Sequence, residues 1–390
     1  MLNTRTAIVG VGTSQLGEVP GSTALSLMAD AAANAIADAG LQPSDIDGVV
    51  VRGPDDEYCF QQQLGQRMGI NAAFATCLDN GGASQPLSVV LATMAINAGL
   101  ANTVLCGFSR NTWSRTRVPG TRQGKMSQAS TEVERTREFE GPFGYFGAPA
   151  THALGAQRHM ALYGTTKEQL GEIAIAFREH ASRNPSAQMH DKPLTMNDYL
   201  GARKIVDPFG MFDCSLRSDA AGAMIVTSLE RARDLPQVPA IIRGFGSQNN
   251  LKGWFADDHM ISTAAQESGQ RAYAMAECTP DDIDTAQLYD CFTYMVLAQL
   301  EDYGFCEKGE GGPFVASGAL KLDGKLPTNT SGGQLSESHA EGVLQVVEGV
   351  RQVRHDYGPD RQVKDAQLAL VSGHGGNTVC HTTLILERGA

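Results

Sequence analysis

Tyr289, Asp290 and Cys291 stand between an apolar lead-in ending at Leu288 and a run carrying Phe292, Val296, Leu297 and Leu300 at helical spacing. Tyrosine, aspartate and cysteine side chains can all move protons. The pattern over 286–306 predicts a strand passing directly into a helix, with the three residues at the junction, beside the free N–H groups of a helix start. A plainer role also fits them: Tyr289 and Cys291 packed half-buried, and Asp290 as a helix cap.

Three further junctions carry candidate chemistry. Asp79-Asn80-Gly81-Gly82-Ala83-Ser84 leads into a predicted helix with Leu87, Leu91 and Met94. Asn329-Thr330-Ser331-Gly332-Gly333, then Ser336-Glu337-Ser338-His339, opens a predicted helix with Val343, Val347 and Val350. A strand at Gln367–Val371 ends in Gly373-His374-Gly375-Gly376. Glycine-lined helix starts at strand ends are where α/β folds place ligands.

The elements that position these junctions come twice. Residues 6–12 read as a buried strand, 22–40 as a helix striped by Leu25, Met28, Ala32 and Ile36, and 43–51 as a turn into a second strand. The same order returns as a strand over 239–246, a helix over 263–277 and a turn at 280–284 leading to Tyr289. Pro-x-Asp-Ile-Asp stands at both 43–47 and 280–284, so two halves, 1–235 and 236–390, are expected to share one fold. Alternating strands and helices predict an α/β protein with mostly parallel mixed sheets. Residues 108–215 break the rhythm and read as an insertion in the first half, helical over 156–183, of the sort that forms a lid or binding loop. Gly10-Val11-Gly12 lacks the full GxGxxG spacing, which argues against a dinucleotide site.

Composition narrows the function classes. The 390 residues are 42% hydrophobic and 19% charged, as in soluble globular proteins. A net charge of −12 argues against nucleic-acid or anionic-membrane partners. No apolar stretch is long enough to span a bilayer. The N-terminus runs straight into a strand rather than a signal peptide, and the eight cysteines form no CxxC pair, so reduced thiols in a cytoplasmic protein are expected. Histidines 152, 159, 180, 190, 259, 355 and 381 show no ligand-like spacing, which predicts no metal site.

Taken together the junctions resemble the thiolase superfamily, in particular its sterol-carrier-protein type. Tyr289-Asp290-Cys291-Phe292 stands where that family has His-Asp-Cys-Phe. The stretch from Asn329 to Gly342 resembles the one bearing the family's Gly-His-Pro histidine. Tyr163 to Glu168, with His180 and Asn184 to Gln188, resembles the helical insertion, and Ser218 to Ala223 the segment closing the first half. The resemblance implies a five-layered αβαβα fold, a homodimer and a coenzyme A thioester as substrate, with no bound cofactor. By the same resemblance Gly82, Ser84, His374, Gly375 and Gly376 are candidate substrate-binding positions. His374 also fits a plainer role, bonding backbone at a glycine turn. Arg110, Arg115, Arg117, Arg122 and Lys125 could pair with coenzyme A phosphates or face solvent at a dimer rim.

The departures define the expected reaction. A thiolase needs a nucleophilic cysteine at the first-half helix start; here Gly82 takes that place, and Cys77 upstream reads as a packed core thiol. Tyr289 replaces the family's histidine, while Cys291 keeps the proton-moving cysteine of that loop. A thioester site with proton shuttles and no nucleophile can stabilise an enolate and cleave a β-hydroxyacyl-CoA by a retro-aldol step. This pattern resembles nucleophile-free relatives from steroid side-chain breakdown, which work with a small acyl-CoA-binding partner built from an OB-fold and a zinc ribbon. The resemblance assigns Tyr289 as base on the hydroxyl, if the site lowers its pKa or passes the proton on. It makes His339 the thioester-oxygen stabiliser or relay, Cys291 the proton donor to the enolate carbon, and Asp290 an orienting group. Two alternatives remain open: a thiolase using a displaced cysteine such as Cys77, and a non-catalytic acyl-CoA- or lipid-binding subunit of a partner complex.

Overall fold

The structure, a computed structural model, describes residues 5–54, 57–116, 141–145, 147–250, 260–376 and 378–390. Each copy of the Pro-x-Asp-Ile-Asp repeat does the same two jobs. Asp45 and Asp282 close a single 3₁₀ turn by accepting the N–H groups of Gln42 and Thr279, both at 2.8 Å. Asp47 then accepts the N–H groups of Asn102 and Thr103, while Asp284 accepts those of Gln367 and Leu368. The second aspartate therefore ties the start of one strand to the start of its parallel neighbour.

In chain order the elements used below are β1 Thr6–Thr13, α1 Ala24–Asp38, β2 Gly48–Arg52, β3 Phe74–Cys77, α2 Ser84–Asn97, β4 Thr103–Asn111, α3 Gly147–Tyr163, α4 Lys167–Ser182 and β5 Asp219–Ser228. They continue with β6 Ala240–Asn249, α5 Ala265–Ala276, β7 Thr285–Gln287, α6 Thr293–Asp302, α7 Gly333–Ser336, α8 Val343–Arg354, β8 Leu368–Gly375 and β9 Cys380–Arg388. The main sheet runs β3-β2-β4-β5-β1-β6-β9-β8-β7. Its two halves follow one path, β2-β4-β5-β1 matching β7-β8-β9-β6, and they meet only through Ala7↔Ile241 and Ile8↔Ala240. Helices α2 and α8 lie between the halves and touch strands of both, α1 covers the outer face of the first half, and α5 that of the second. This is the expected five-layered αβαβα order. Outer helices approach closely because the strands carry glycine there. A Cβ on Gly12 would stand 2.4 Å from Ala31 O, and one on Gly246 would stand 2.0 Å from Ser268 O.

Two expectations need correction. The sheet is mixed but not mostly parallel: five of its pairings are antiparallel and three parallel. The parallel strands are those joined by crossover helices, whereas β8 returns directly into β9 by a tight turn. In the first half the equivalent return, from β4 to β5, spans 112–218 and holds the insertion. The helix expected over 156–183 is two helices, because Thr166 caps α4 by accepting the Gln169 N–H. Arg117, Arg122, Lys125 and His259 lie outside the described residues. No helix among the described residues is long and apolar enough to cross a membrane.

Candidate active site

The loop after β7 is held from both sides. Asn329 Oδ1 accepts the Leu288 N–H at 2.7 Å, and its amide donates to the Leu288 carbonyl at 2.8 Å. Tyr289 N–H donates to Ser372 Oγ on β8. The helix that follows begins only at Thr293, so Tyr289, Asp290 and Cys291 are not at its start as the pattern suggested. Asp290 does bind free helix-start N–H groups, but those of α7: Gln334 N at 2.9 Å and Leu335 N at 3.2 Å, with Gln345 Nε2 at 2.8 Å. It is fully buried, and burial raises its pKa to about 6 against these bonds. Its place is that of an anchor between the loop and α7.

Tyr289 takes the space a side chain at position 82 would need. A Cβ built on Gly82 would stand 2.1 Å from Tyr289 Cε2 and 2.4 Å from its Cζ. No real contact is that short, and the same Cβ would stand 2.5 Å from the His374 carbonyl oxygen, so the phenol ring and the β8 backbone together exclude a residue larger than glycine at 82. Among the described residues no side chain bonds the Tyr289 hydroxyl. Burial, then Glu341 and Cys291, push its pKa well above 10, against the pull of Arg110 and Arg52. The expectation that the site lowers this pKa is therefore reversed. The phenol is neutral at physiological pH.

His339 lies in the turn between α7 and α8, at the expected junction leading into the helix with Val343, Val347 and Val350. Positive φ at Glu341 (45°) and Gly342 (86°) bends the chain there before α8 starts at Val343. Leu216 O lies 3.2 Å from His339 Nδ1 and can only accept, so Nδ1 carries the proton. The lone pair is then on Nε2, to which Arg110 Nη1 donates at 3.5 Å. Burial and the Arg110 cation lower the His339 pKa to about 4. Glu341 completes the cluster with Arg110 at 2.7 Å and a short contact to Arg52, which also holds Asp79 at 2.7 Å. Burial alone would raise the Glu341 carboxyl, but the two arginines outweigh it and keep it ionised. The two guanidinium groups are matched by two carboxylates, Glu341 and Asp79, so the cluster offers fixed N–H donors beside the phenol rather than a net positive field.

Other candidate residues divide. Ser84 is fully buried with its Oγ accepting the Asn80 N–H at 2.7 Å, which leaves nothing exposed for a ligand. Gly375 lies hard against the Asn80 carbonyl, where a Cβ would come within 1.9 Å, and Gly376 is exposed at φ +59°. Cys77 is not the core thiol expected: it is exposed on the edge strand β3 and bonds Gln61 Oε1. Arg110 faces His339 and Glu341 rather than a solvated rim. Cys291 and His374 belong to a second group. His152, from the insertion helix α3, places Nε2 3.3 Å from His374 Nε2 and 4.0 Å from Cys291 Sγ, and His374 Nδ1 lies 2.9 Å from His381 Nε2.

Arg52, Glu341, His152 and His381 were not picked out as site residues by the sequence. Only Arg52 had a signal: it stands five residues past Asp47, as Tyr289 stands five past Asp284.

Comparison with known proteins identifies relatives over nearly the whole chain. Residues 247–388 match the Thiolase C-terminal domain-like family. A steroid side-chain-cleaving aldolase of Thermomonospora curvata is 36% identical over 364 residues, covering 89% of this chain and 90% of that protein. A 17-hydroxy-3-oxo-4-pregnene-20-carboxyl-CoA lyase of Mycobacterium tuberculosis is also 36% identical, covering 91% and 92% of the two chains. The solved Ltp2-ChsH2(DUF35) aldolase superposes with a TM-score of 0.89 at 34% identity, over 100% of this chain and 99% of that one.

Proposed function

Because the chain belongs to the thiolase superfamily, we propose that it is an acyl-CoA lyase that splits a bulky β-hydroxyacyl-CoA by a retro-aldol step, through an enolate and without an acyl-enzyme. The observation that carries this reading is the Tyr289 ring filling the space over Gly82. A thiolase cysteine at 82 and this tyrosine cannot coexist, so the covalent route is closed by packing as well as by composition. The two relatives that act on steroid side chains support a steroid-like acyl group.

The site divides the proton work between two neutral groups. His339 Nε2 offers a lone pair and takes the β-hydroxyl proton. The Cα–Cβ bond breaks, its electrons pass to the thioester carbonyl, and a ketone or aldehyde leaves. The enolate forms beside the guanidinium groups of Arg52 and Arg110, the neutral Tyr289 hydroxyl returns a proton to Cα, and the proton held on His339 then passes to the Tyr289 phenolate, which resets both groups. This exchanges the roles the resemblance first implied, because a phenol held far above neutral pH donates rather than accepts. Asp290 fixes the loop, and Gly375 and Gly376 form the floor over which the thioester lies.

A DUF35-type partner with an OB-fold and zinc ribbon is part of the reading, supported by the Ltp2-ChsH2(DUF35) aldolase. A homodimer through the exposed edge of β3 is a further part. The test is turnover of a steroid-like β-hydroxyacyl-CoA, with and without that partner, beside the β-ketoacyl-CoA analogue. Cleavage of the hydroxy compound without added coenzyme A supports the lyase. Consumption of the keto compound alone, and only with free coenzyme A, would make the chain a thiolase.

A further inference from the structure

We propose that His152, His374 and Cys291 form a divalent transition-metal site, best suited to zinc, beside Tyr289. Three chain segments far apart in sequence bring these ligands together: α3 of the insertion, the end of β8 and the loop after β7. Their ligand atoms all lie within 4.8 Å of one another. The 3.3 Å between His152 Nε2 and His374 Nε2 equals the roughly 3.3 Å edge of a tetrahedron with Zn–N bonds of about 2.0–2.1 Å. The 4.0 Å from Cys291 Sγ to His152 Nε2, and the Cys291–His374 edge within 4.8 Å, must both shorten for a Zn–S bond of about 2.3 Å, by a rotation of the Cys291 side chain.

The outer contacts leave both Nε2 atoms without a proton. His152 Nδ1 lies 2.8 Å from the Ala148 carbonyl, which only accepts, so its Nε2 is bare. His374 donates its Nδ1–H to His381 Nε2 at 2.9 Å, and its Nε2 accepts only the Thr378 N–H at 3.3 Å, a long bond that an ion would displace. A metal-bound histidine normally donates its other N–H to such an acceptor. Two bare nitrogens facing each other at 3.3 Å repel unless a cation stands between them. His152 and His374 are each only 3% exposed, so water does not separate them freely. Three protein ligands leave a fourth position open, as in catalytic rather than structural zinc sites. The Tyr289 ring is 5.6 Å from that of His374, so an ion there stands next to the phenol.

The role that follows rests on the lyase reading above: the ion would accept the thioester oxygen as the enolate forms, and Cys291 would be a thiolate ligand instead of a proton donor. Binding itself does not depend on that reading. The competing arrangement is a chain of neutral hydrogen bonds, with His381 Nε2–H to His374 Nδ1 and His374 Nε2–H to His152 Nε2. It needs no metal, and in either arrangement His381 Nδ1 is buried without a partner, so metal binding itself decides between the two.

The test uses the full-length chain purified away from any zinc-carrying partner, loaded with Zn²⁺ or Co²⁺ and dialysed. The expected result is one equivalent bound per chain, with the Co²⁺ form showing tetrahedral d–d bands and a thiolate-to-cobalt charge-transfer band. Cys291→Ser should remove the charge-transfer band, and His374→Gln should weaken binding at least tenfold, with circular dichroism confirming that both variants fold. No retained metal in the folded wild-type chain, or cobalt bands that survive both substitutions, would overturn the site. A chain that binds metal as expected but cleaves no hydroxyacyl-CoA would leave the site standing and remove the lyase reading.

Discussion

The two halves of this chain are built with the same devices and end in different chemistry. In each, a Pro-x-Asp-Ile-Asp turn ties one strand to its parallel neighbour, and a glycine strand lets an outer helix lie close. Five residues past the second aspartate the halves part. The first half places Arg52 there, whose side chain crosses to Glu341, just ahead of the second-half helix α8. The second half places Tyr289 there, whose ring crosses to Gly82, just ahead of the first-half helix α2. Duplication thus gives two equivalent positions that each reach across the central layer to the other half's helix start. One supplies a guanidinium held between two carboxylates, and the other a neutral proton donor. A duplicated scaffold can divide the electrostatic and the acid–base work of one site in this way.

Removing the phenolic hydroxyl should break the comparison most severely. Tyr289→Phe is expected to lower kcat roughly 10²–10⁴-fold with little change in thermal stability, since the ring still packs over Gly82. An unchanged kcat would take proton transfer away from Tyr289. Next comes the packing itself. Gly82→Ala should destabilise the protein by about 1–3 kcal/mol, because its Cβ meets the Tyr289 ring. In a Tyr289→Ala background the same change should cost less, with a remainder from the His374 carbonyl 2.5 Å from the new Cβ, and a double-mutant cycle in denaturant would measure the ring's share. Additive costs would contradict the mutual exclusion.

The first-half contribution can be read from pH. Burial and Arg110 hold His339 at about 4, so activity should stay flat as pH falls until near that value. Below it the base is protonated and the rate drops. Arg110→Met removes the cation and should move this acid limb upward, toward the ordinary histidine value of ~6.5. An unmoved limb would mean that some other group is the base. The smallest effect expected is none: Cys77→Ser should leave turnover within about twofold of wild type, since the thiol is exposed on an edge strand and bonds Gln61. Loss of activity there would revive a displaced nucleophile.

What the sequence made legible was local. The repeat, the helix–strand order and the positions of Tyr289 and His339 all follow from short spacings and from junctions recognisable one at a time. What it hid depended on long-range contact. Arg52 meets Glu341 across 289 positions, and His152 meets His374 across 222, and neither pairing leaves a periodic trace. The strand directions were misjudged for a similar reason. A strand covered on both faces reads as a continuous apolar run whether its neighbour is parallel or antiparallel. The direction of the Tyr289 pKa shift was also out of reach, because it depends on how deeply the loop is buried beside Glu341 and Cys291.

Carbon–carbon cleavage by this chain is expected to proceed without an acyl-enzyme. Intact-mass spectrometry of the chain during steady turnover of a β-hydroxyacyl-CoA, quenched in acid, tests this most directly. The account predicts the unmodified protein mass at every time point while acyl-CoA product accumulates. A transient adduct of the acyl group's mass, on Cys77 or any other side chain, would contradict it.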